Sequence, residues 1–326
     1  MAMENQHCPG CGAPDVSLID SIATDELARL YRSRGIDVGA YVESTPQISR
    51  LKCEACDLVF FSPSCAGDDS FYEQLQKFDW YYQDEKPEYD YARQFVDEHQ
   101  RVLEVGCGKG AFRSFLPAST RYVGLEFNDE AVRKATEAGL DVRKQSVERH
   151  AAEHPRAYDV VCSFQVLEHV PNPDTFVHAC VESLAPGGML ILAVPAEDSF
   201  LALAANAPLN MPPHHVLRWT DRALASLAKR EGLEVAALWH EPVASFHRDW
   251  QSHTLAYHYF VRRGMASTRL IDSSLRYRLI GKLLRNTQLR DFLAQRVARE
   301  QPALEHGHTV VLAARQGHGP AGQVLH

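Results

Sequence analysis

The chain has 326 residues, 45% of them hydrophobic and 23% charged, a composition that excludes a mainly disordered chain and predicts one large domain or two. Its 34 Lys and Arg against 42 Asp and Glu give a formal net charge of −8, which excludes a global electrostatic footprint for DNA or RNA. No apolar run approaches the roughly 18 to 20 residues that span a bilayer, and the opening MAMENQHCPG lacks the basic and apolar regions of a secretory signal. The expectation is a soluble, cytoplasmic protein with no membrane partner.

Residues 1–65 read as a unit of their own. Cys8 and Cys11 form one CxxC, Cys53 and Cys56 a second, with 41 residues between the pairs. Four thiolates close a tetrahedral structural site, so these four cysteines are candidate ligands of a structural zinc ion. Cys65, Cys107, Cys162 and Cys180 are scattered, which fits a reducing compartment better than a disulfide framework. Between the knuckles, TDELARLYRSRG predicts an amphipathic helix capped by Thr24 or Asp25 and stopped by Gly35. The neighbourhood AGDDSFYEQ is acidic and its aromatics are not interleaved with a basic run, which argues against a nucleic-acid partner.

Residues 66–100 form an aromatic linker whose second half looks helical. Tyr81 and Tyr82, with Tyr89 and Tyr91 beyond them, are placed to cover a cofactor or stack on substrate. A core aromatic seam is the alternative.

From residue 101 short apolar runs (RVLEV, RYVGLEF, DVRKQ, DVVCSFQ, MLILAVP) alternate with helical stretches. That rhythm predicts βαβ units and a parallel sheet covered on both faces, an α/β class fold over 101–241. VLEVGCGKGAF runs a strand into Gly106, Gly108 and Gly110 and then a helix. Glycines let backbone approach a ligand closely, and a helix start presents free N–H groups. Glu126 ends the next strand, placed to accept hydrogen bonds from ribose hydroxyls. Gly106, Gly108 and Ala111 also satisfy the dinucleotide fingerprint, so the loop alone indicates a nucleoside-bearing cofactor without naming it. Glu104, inside the apolar strand, decides between them: an acid there repels a pyrophosphate and suits the sulfonium and ammonium of S-adenosylmethionine.

VLEVGCGKG, GLEFNDEAV, DVVCSFQVLEHVPNP and LAPGGMLILAVP together resemble the successive motifs of class I S-adenosylmethionine-dependent methyltransferases, in order and spacing. The pattern is similar to the small-molecule branch that includes the ubiquinone-pathway O-methyltransferases. The resemblance implies a Rossmann-like sheet, parallel with an antiparallel last strand. It implies that Glu104, Gly106 and Gly108 line the methionine moiety, that Glu126 holds the ribose, and that Phe127 and Asn128 flank the adenine side. Ser146 and Val147 would meet the adenine, with Glu148 or backbone taking a contact that an Asp at 146 often makes. Phe164 and Gln165 would close over the sulfonium side. Simple packing is the alternative for Val147 and Phe164. The N-terminal cysteine pattern resembles bacterial methyltransferases of sugar and secondary-metabolite pathways that carry a zinc-binding subdomain.

The loop NAPLNMPPHHVLRWT should overhang the transferred methyl, because ligands in open α/β sheets bind beyond the carboxyl ends of the strands. His214 and His215 are candidate general bases for a hydroxyl or acidic C–H nucleophile, and His169 has similar status, with Glu168 supporting its loop. Their alternative is a structural role. The resemblance also implies a final antiparallel hairpin of LEVAALWHEP and HTVVLAARQ (308–316), which leaves 242–307 as a helical insertion serving as lid or dimerisation element. His247, at its opening, is a candidate substrate contact, and 317–326 a loose tail. The reading is methyl transfer to a small-molecule acceptor, O-methylation first and C-methylation second. Rivals are an RNA or protein methyltransferase and an NAD-dependent enzyme.

Overall fold

The N-terminal strands β1 (Val16–Ala23), β2 (Gln47–Cys53) and β3 (Val59–Ser62) pair antiparallel in that order. The fourth strand of this sheet is Leu217–Arg218, supplied from far along the chain and antiparallel to β3. The computed structural model describes residues 6–75, 78 and 85–317. Helix α1 (Thr24–Arg32) and the single turn α2 (Gly39–Val42) fill the connection between β1 and β2, and α3 (Asp69–Leu75) follows β3. Leu27 and Tyr31 of α1, four residues apart on one face, are fully buried with Phe71 and Leu75 of α3. The helix begins one residue earlier than a Thr24 cap requires: Ala23 holds the cap position, and the Thr24 hydroxyl donates to Thr45 O at 2.7 Å instead.

Beyond α4 (Pro87–Ala92) the chain enters the large sheet with β4 (Arg101–Val105), β5 (Arg121–Leu125), α5 (Asp129–Glu137), β6 (Val142–Arg143), α6 (Val147–Glu153), β7 (Tyr158–Phe164), α7 (Pro173–Glu182) and β8 (Leu184–Pro195). The borrowed strand β9 (Leu217–Arg218), α8 (Asp221–Arg230) and β10 (Leu233–Pro242) follow, and β11 (His306–Gln316) completes the sheet. The strand order is β10-β11-β8-β7-β4-β5-β6. β4 to β8 run parallel, and β11 is antiparallel to both β8 and β10. Successive side chains alternate between faces: Leu103, Val161 and Leu190 join one core with α6, α7 and α8, while Val102, Val160 and Ile191 join the other with α4 and α5.

Two predicted elements differ in kind. GAFRSFL forms a short 3-10 helix, Ala111–Phe115, because only six residues separate Gly110 from Pro117, which turns the chain, too few for a stable α-helix. DVRKQ contributes only Val142–Arg143 to the sheet edge, since Ser146 caps α6 immediately afterwards. The excursion between β10 and β11 is helical: α9 (Arg248–Val261), α10 (Leu275–Leu283) and α11 (Thr287–Glu300). Ser274 and Asn286 cap the last two, each accepting from a backbone N–H at 3.1 Å. Leu255, Leu284, Leu293 and Val297 build its core around Phe200 and Leu201, which come from the loop after β8. No helix among the described residues is long and apolar enough to cross a membrane.

The cysteine knuckles do not form a separate core. Cys8, Cys53, Cys56, Leu58 and Phe60 share one buried cluster with Trp219, Leu224 and Leu192 of the large domain. Phe60→Ala should therefore destabilise the whole chain by about 3–5 kcal/mol while keeping a single unfolding transition, measured by denaturant titration with fluorescence and circular dichroism.

Candidate functional site

The two CxxC turns meet at the edge of the N-terminal sheet. Cys8 Sγ lies 3.7 Å from Cys56 Sγ and Cys11 Sγ 3.5 Å from Cys53 Sγ, and all four sulfurs are within 4.8 Å of one another. Four sulfurs at the Zn–S distance of about 2.3 Å from a tetrahedral centre stand about 3.8 Å apart, so the spacing suits an ion. It is far wider than a disulfide of about 2.05 Å. Gly10 N–H points at Cys8 Sγ from 3.4 Å. Arg222 binds the second knuckle, donating to Ala55 O at 2.9 Å and Asp57 Oδ1 at 3.1 Å.

A cavity of about 1290 Å³ opens beyond the carboxyl ends of β4, β5 and β7. Gly106, Gly108, Glu126, Phe127, Asn128, Ser146, Val147, Phe164, Gln165 and His247 all line it. Gly106 adopts φ +73°, and a Cβ there would stand 2.4 Å from Val166 Cγ2, so only glycine fits the turn. The Glu126 carboxylate accepts from three backbone N–H groups, Gly108 at 2.8 Å, Phe127 at 2.8 Å and Asn128 at 2.9 Å. It thereby fixes the glycine loop while facing the cavity. Asn128 and Ser146 spend their side chains as caps of α5 and α6. Val147 and Phe164 are core residues as well as lining, Phe164 packing on Tyr89 and Phe112 with ring centroids 4.9 and 4.8 Å away. Gln165, at φ +57°, donates to Glu88 Oε1 at 3.2 Å and Thr309 Oγ1 at 3.3 Å.

Glu104 and Gly110 do not reach the cavity wall. Glu104 is 1% exposed and accepts a 2.5 Å hydrogen bond from Tyr122 beneath the loop, since its position on β4 turns it to the α4 and α5 face. Gly110 sits at φ +78° against Leu140, where a Cβ would come within 2.5 Å of Cδ1. Tyr81 and Tyr82 lie outside the described residues.

The histidines converge at the far end of the same cavity. His169 ends the 3-10 turn after β7, and His214 and His215 follow the two prolines of the loop between β8 and β9. Ring centroids are 4.6 Å apart for His169 and His214, 5.0 Å for His169 and His215, and 4.5 Å for the stacked pair His214 and His215. Burial lowers the pKa of His169 to about 4 and holds His214 and His215 well below the ordinary value, so all three rings are neutral at pH 7. Glu168 lies against them, Oε1 at 3.7 Å from His169 Nε2 and 4.0 Å from His215 Nε2. Sequence reasoning gave Glu168 a supporting role and missed Glu88, Glu241, His308 and Thr309, which also line the cavity. Glu241 stands at the carboxyl end of β10, where the strand-end rule applied to WHEP would have found it; Thr309 lies near the amino end of β11, which its antiparallel pairing brings to the same side.

Burial raises the Glu104 pKa from 4.5 to about 8. Between those values the unfolded chain has released this proton and the folded chain still holds it, so stability contributed by the proton falls as pH rises from about 4.5 to about 8. Glu104→Gln should flatten the pH dependence of unfolding free energy across that window, measured by urea denaturation at pH 5 to 8 without ligand.

Residues 80–238 match the family described as a methyltransferase domain. The ubiquinone biosynthesis O-methyltransferase of Nitrosospira multiformis is 34% identical over 161 residues, covering 43% of this chain and 67% of that protein. The protein of the same name from Azoarcus sp. is 33% identical over 164 residues, covering 44% and 70%. An S-adenosylmethionine-dependent methyltransferase of Archaeoglobus fulgidus superposes with a TM-score of 0.52 at 15% identity, over 75% of this chain and 99% of that one, and so shares the fold. The glycine loop, its acidic partner Glu126 and the seven-stranded sheet with its antiparallel end fit these relatives, and the chain belongs to the class I S-adenosylmethionine-dependent methyltransferases.

Proposed function

We propose that this methyltransferase transfers its methyl group to a hydroxyl of a small-molecule acceptor, within a site completed by the zinc-bound N-terminal unit and the helical insertion. The observation that carries this reading is one cavity joining the glycine loop and Glu126 to the cluster of Glu168, His169, His214 and His215. Glu126, Phe127 and Val147 would hold the nucleoside, and Gly106, Gly108 and Phe164 the amino-acid end. The bound cofactor supplies a methyl on a positively charged sulfur, and sulfur keeps the electron pair when the methyl leaves. Seven carboxylate residues line the cavity (Asp69, Glu85, Glu88, Glu126, Glu148, Glu168 and Glu241) against three cationic ones (Arg34, Lys86 and Lys109). Such walls favour a cationic cofactor and repel a polyanion, which argues against RNA as acceptor.

The chain's own groups have three tasks. Backbone and aromatic surfaces align the reacting atoms, which supplies much of the acceleration in a direct displacement. Phe246, His247 and Trp250, from the start of the insertion, line the cavity and would cover a bound acceptor. The histidine–glutamate cluster favours release of the hydroxyl proton to cavity water, so that the oxygen's electron pair forms the new O–CH3 bond. His169 itself is poorly matched to that work as a free base at neutral pH, because a pKa near about 4 gives little driving force for proton removal. The O-methyltransferase names of the two bacterial relatives support the O-methyl reading. The insertion's role as lid or dimer contact is part of the proposal.

Calorimetry with S-adenosylhomocysteine should show one site per chain and none for NAD. Glu126→Ala should weaken that binding by about 10- to 100-fold, the loss of charge-assisted hydrogen bonds. Incubation with S-adenosylmethionine and a panel of phenolic, catecholic and sugar acceptors should give a methoxy resonance in the product spectrum; a methyl bound to carbon would reject the hydroxyl acceptor.

We also propose that the four cysteines hold a structural zinc ion. Cys53→Ser should lose one equivalent of zinc by metal analysis and the thiolate-to-metal absorption of the Co(II)-substituted chain, with a lowered melting temperature. A native protein without that absorption would reject the site.

A further inference from the structure

We infer that Glu168, His169, His214 and His215 form a second metal site, for a divalent transition-metal ion, at the acceptor end of the cavity. The inference deepens the function proposed above and rests on it for the role of the ion, though not for its binding.

The hydrogen bonds around the three rings set the argument. His169 Nδ1 is bonded to His214 O at 2.6 Å, and His214 Nδ1 to Leu209 O at 2.8 Å. A carbonyl oxygen only accepts, so both rings carry their proton on Nδ1. His215 Nδ1 is 3.2 Å from Asn210 Oδ1, and the same amide donates through Nδ2 to Leu201 O at 3.4 Å. That pairing orients the amide with its oxygen toward the ring, so His215 is also protonated on Nδ1. Nε2 is then the basic nitrogen of all three imidazoles. One ligand nitrogen from each histidine lies within 4.8 Å of the others.

Glu168 supplies the opposite charge. It is 1% exposed, and among the described residues neither Oε1 nor Oε2 has a hydrogen-bond partner. Its Oε1 faces two of the Nε2 atoms at 3.7 and 4.0 Å, beyond hydrogen-bonding distance. A buried carboxylate without partners is strongly unfavourable, and the two basic nitrogens beside it, His169 Nε2 and His215 Nε2, do not relieve it. A single proton on Glu168 satisfies one oxygen. A cation is met by the carboxylate and the imidazole nitrogens together.

The donor set selects the ion. Three imidazoles and one carboxylate suit zinc, iron, cobalt or nickel in the divalent state, whereas magnesium and calcium take oxygen ligands. Oxygen acceptors on each Nδ1–H, here two backbone carbonyls and Asn210, are the usual outer support of metal-bound histidine. Ligands about 2.1 Å from a four-coordinate ion stand about 3.4 Å apart, so the rings draw in by on the order of an ångström on loading. All four residues line the cavity, which gives the ion an entry path and leaves one side for an acceptor oxygen. An ion there lowers the pKa of a coordinated hydroxyl, and the proton leaves through cavity water instead of resting on a ring.

The test uses the full chain stripped with chelator and reloaded with Co(II). Two equivalents should bind. Thiolate-to-metal absorption in the near ultraviolet reports the cysteines, and weaker visible ligand-field bands without thiolate character report the histidine site. Cys53→Ser should remove the first signal and keep the second. Glu168→Gln, which preserves shape, and His215→Ala should each weaken the second by at least about tenfold and keep the first. Calorimetry with S-adenosylhomocysteine on each variant identifies chains whose cofactor fold is intact. A wild-type chain that binds one equivalent with thiolate bands alone overturns the inference, as does a second signal unchanged in both variants. If a hydroxyl acceptor is methylated by a chain with no second ion, the inference alone fails. If the second ion binds and no hydroxyl acceptor turns over, the metal site stands and the hydroxyl-transfer reading falls.

Discussion

The loop between β8 and β9 carries the two adjacent histidines, and its position depends on being held from the N-terminal unit. Tyr31 of α1, fully buried, directs its hydroxyl at Pro208 O (2.6 Å) and Met211 O (2.9 Å). Met211 sits in the core of the N-terminal unit, and β9 pairs with β3 six residues farther on. Loops ordinarily run over the surface because their backbone groups need water. This one is buried, and a foreign helix and strand supply its partners instead. Between those two anchors the chain has little freedom, so His214 and His215 are delivered to fixed places beside His169. The cysteine knuckles, one strand away, are thus linked to the histidine cluster through backbone pairing.

Acidic side chains are placed in two layers around the cavity. Glu126 and Glu88 keep their oxygens bound to N–H groups of the loop and of Gln165. Glu104, Glu168 and Glu241 are buried deeply enough that desolvation raises their pKa values. The oxygens of the first group are met by those donors, while burial of the second disfavours its charged form unless positive charge is placed beside it.

The large sheet was legible because each motif in RVLEVGCGKGAF and its successors states its own local geometry: apolar run, left-handed glycine, helix. Gly106, Gly108 and Glu126 came from that grammar, and they line the cavity where the strand-end rule puts them. Glu104 was legible as a chemical anomaly but not in its direction. A period of two turns it away from the cavity, onto Tyr122 beneath the glycine loop. The borrowed strand Leu217–Arg218 was not legible, since two residues carry no periodicity and their partner is more than 150 positions away. Glu88 was missed because it lies in an ordinary helix, and only the fold brings it beside Gln165.

The histidines show why residue type alone did not fix a role. His is read as a base because its ordinary pKa lies near neutrality, yet that value belongs to a solvated ring. Here burial and mutual repulsion hold the three rings neutral, and oxygen acceptors commit each Nδ1 to its proton. Burial weakens Nε2 as a proton acceptor, because an imidazolium formed there is poorly solvated, whereas the hydrogen bonds from Nδ1 to oxygen raise its basicity. The proposed ion brings two positive charges that Glu168 meets, so the burial that disfavours an imidazolium does not disfavour the ion in the same way. The fixed Nδ1 protons leave Nε2 as the basic atom of each ring, which is what a set of metal ligands requires.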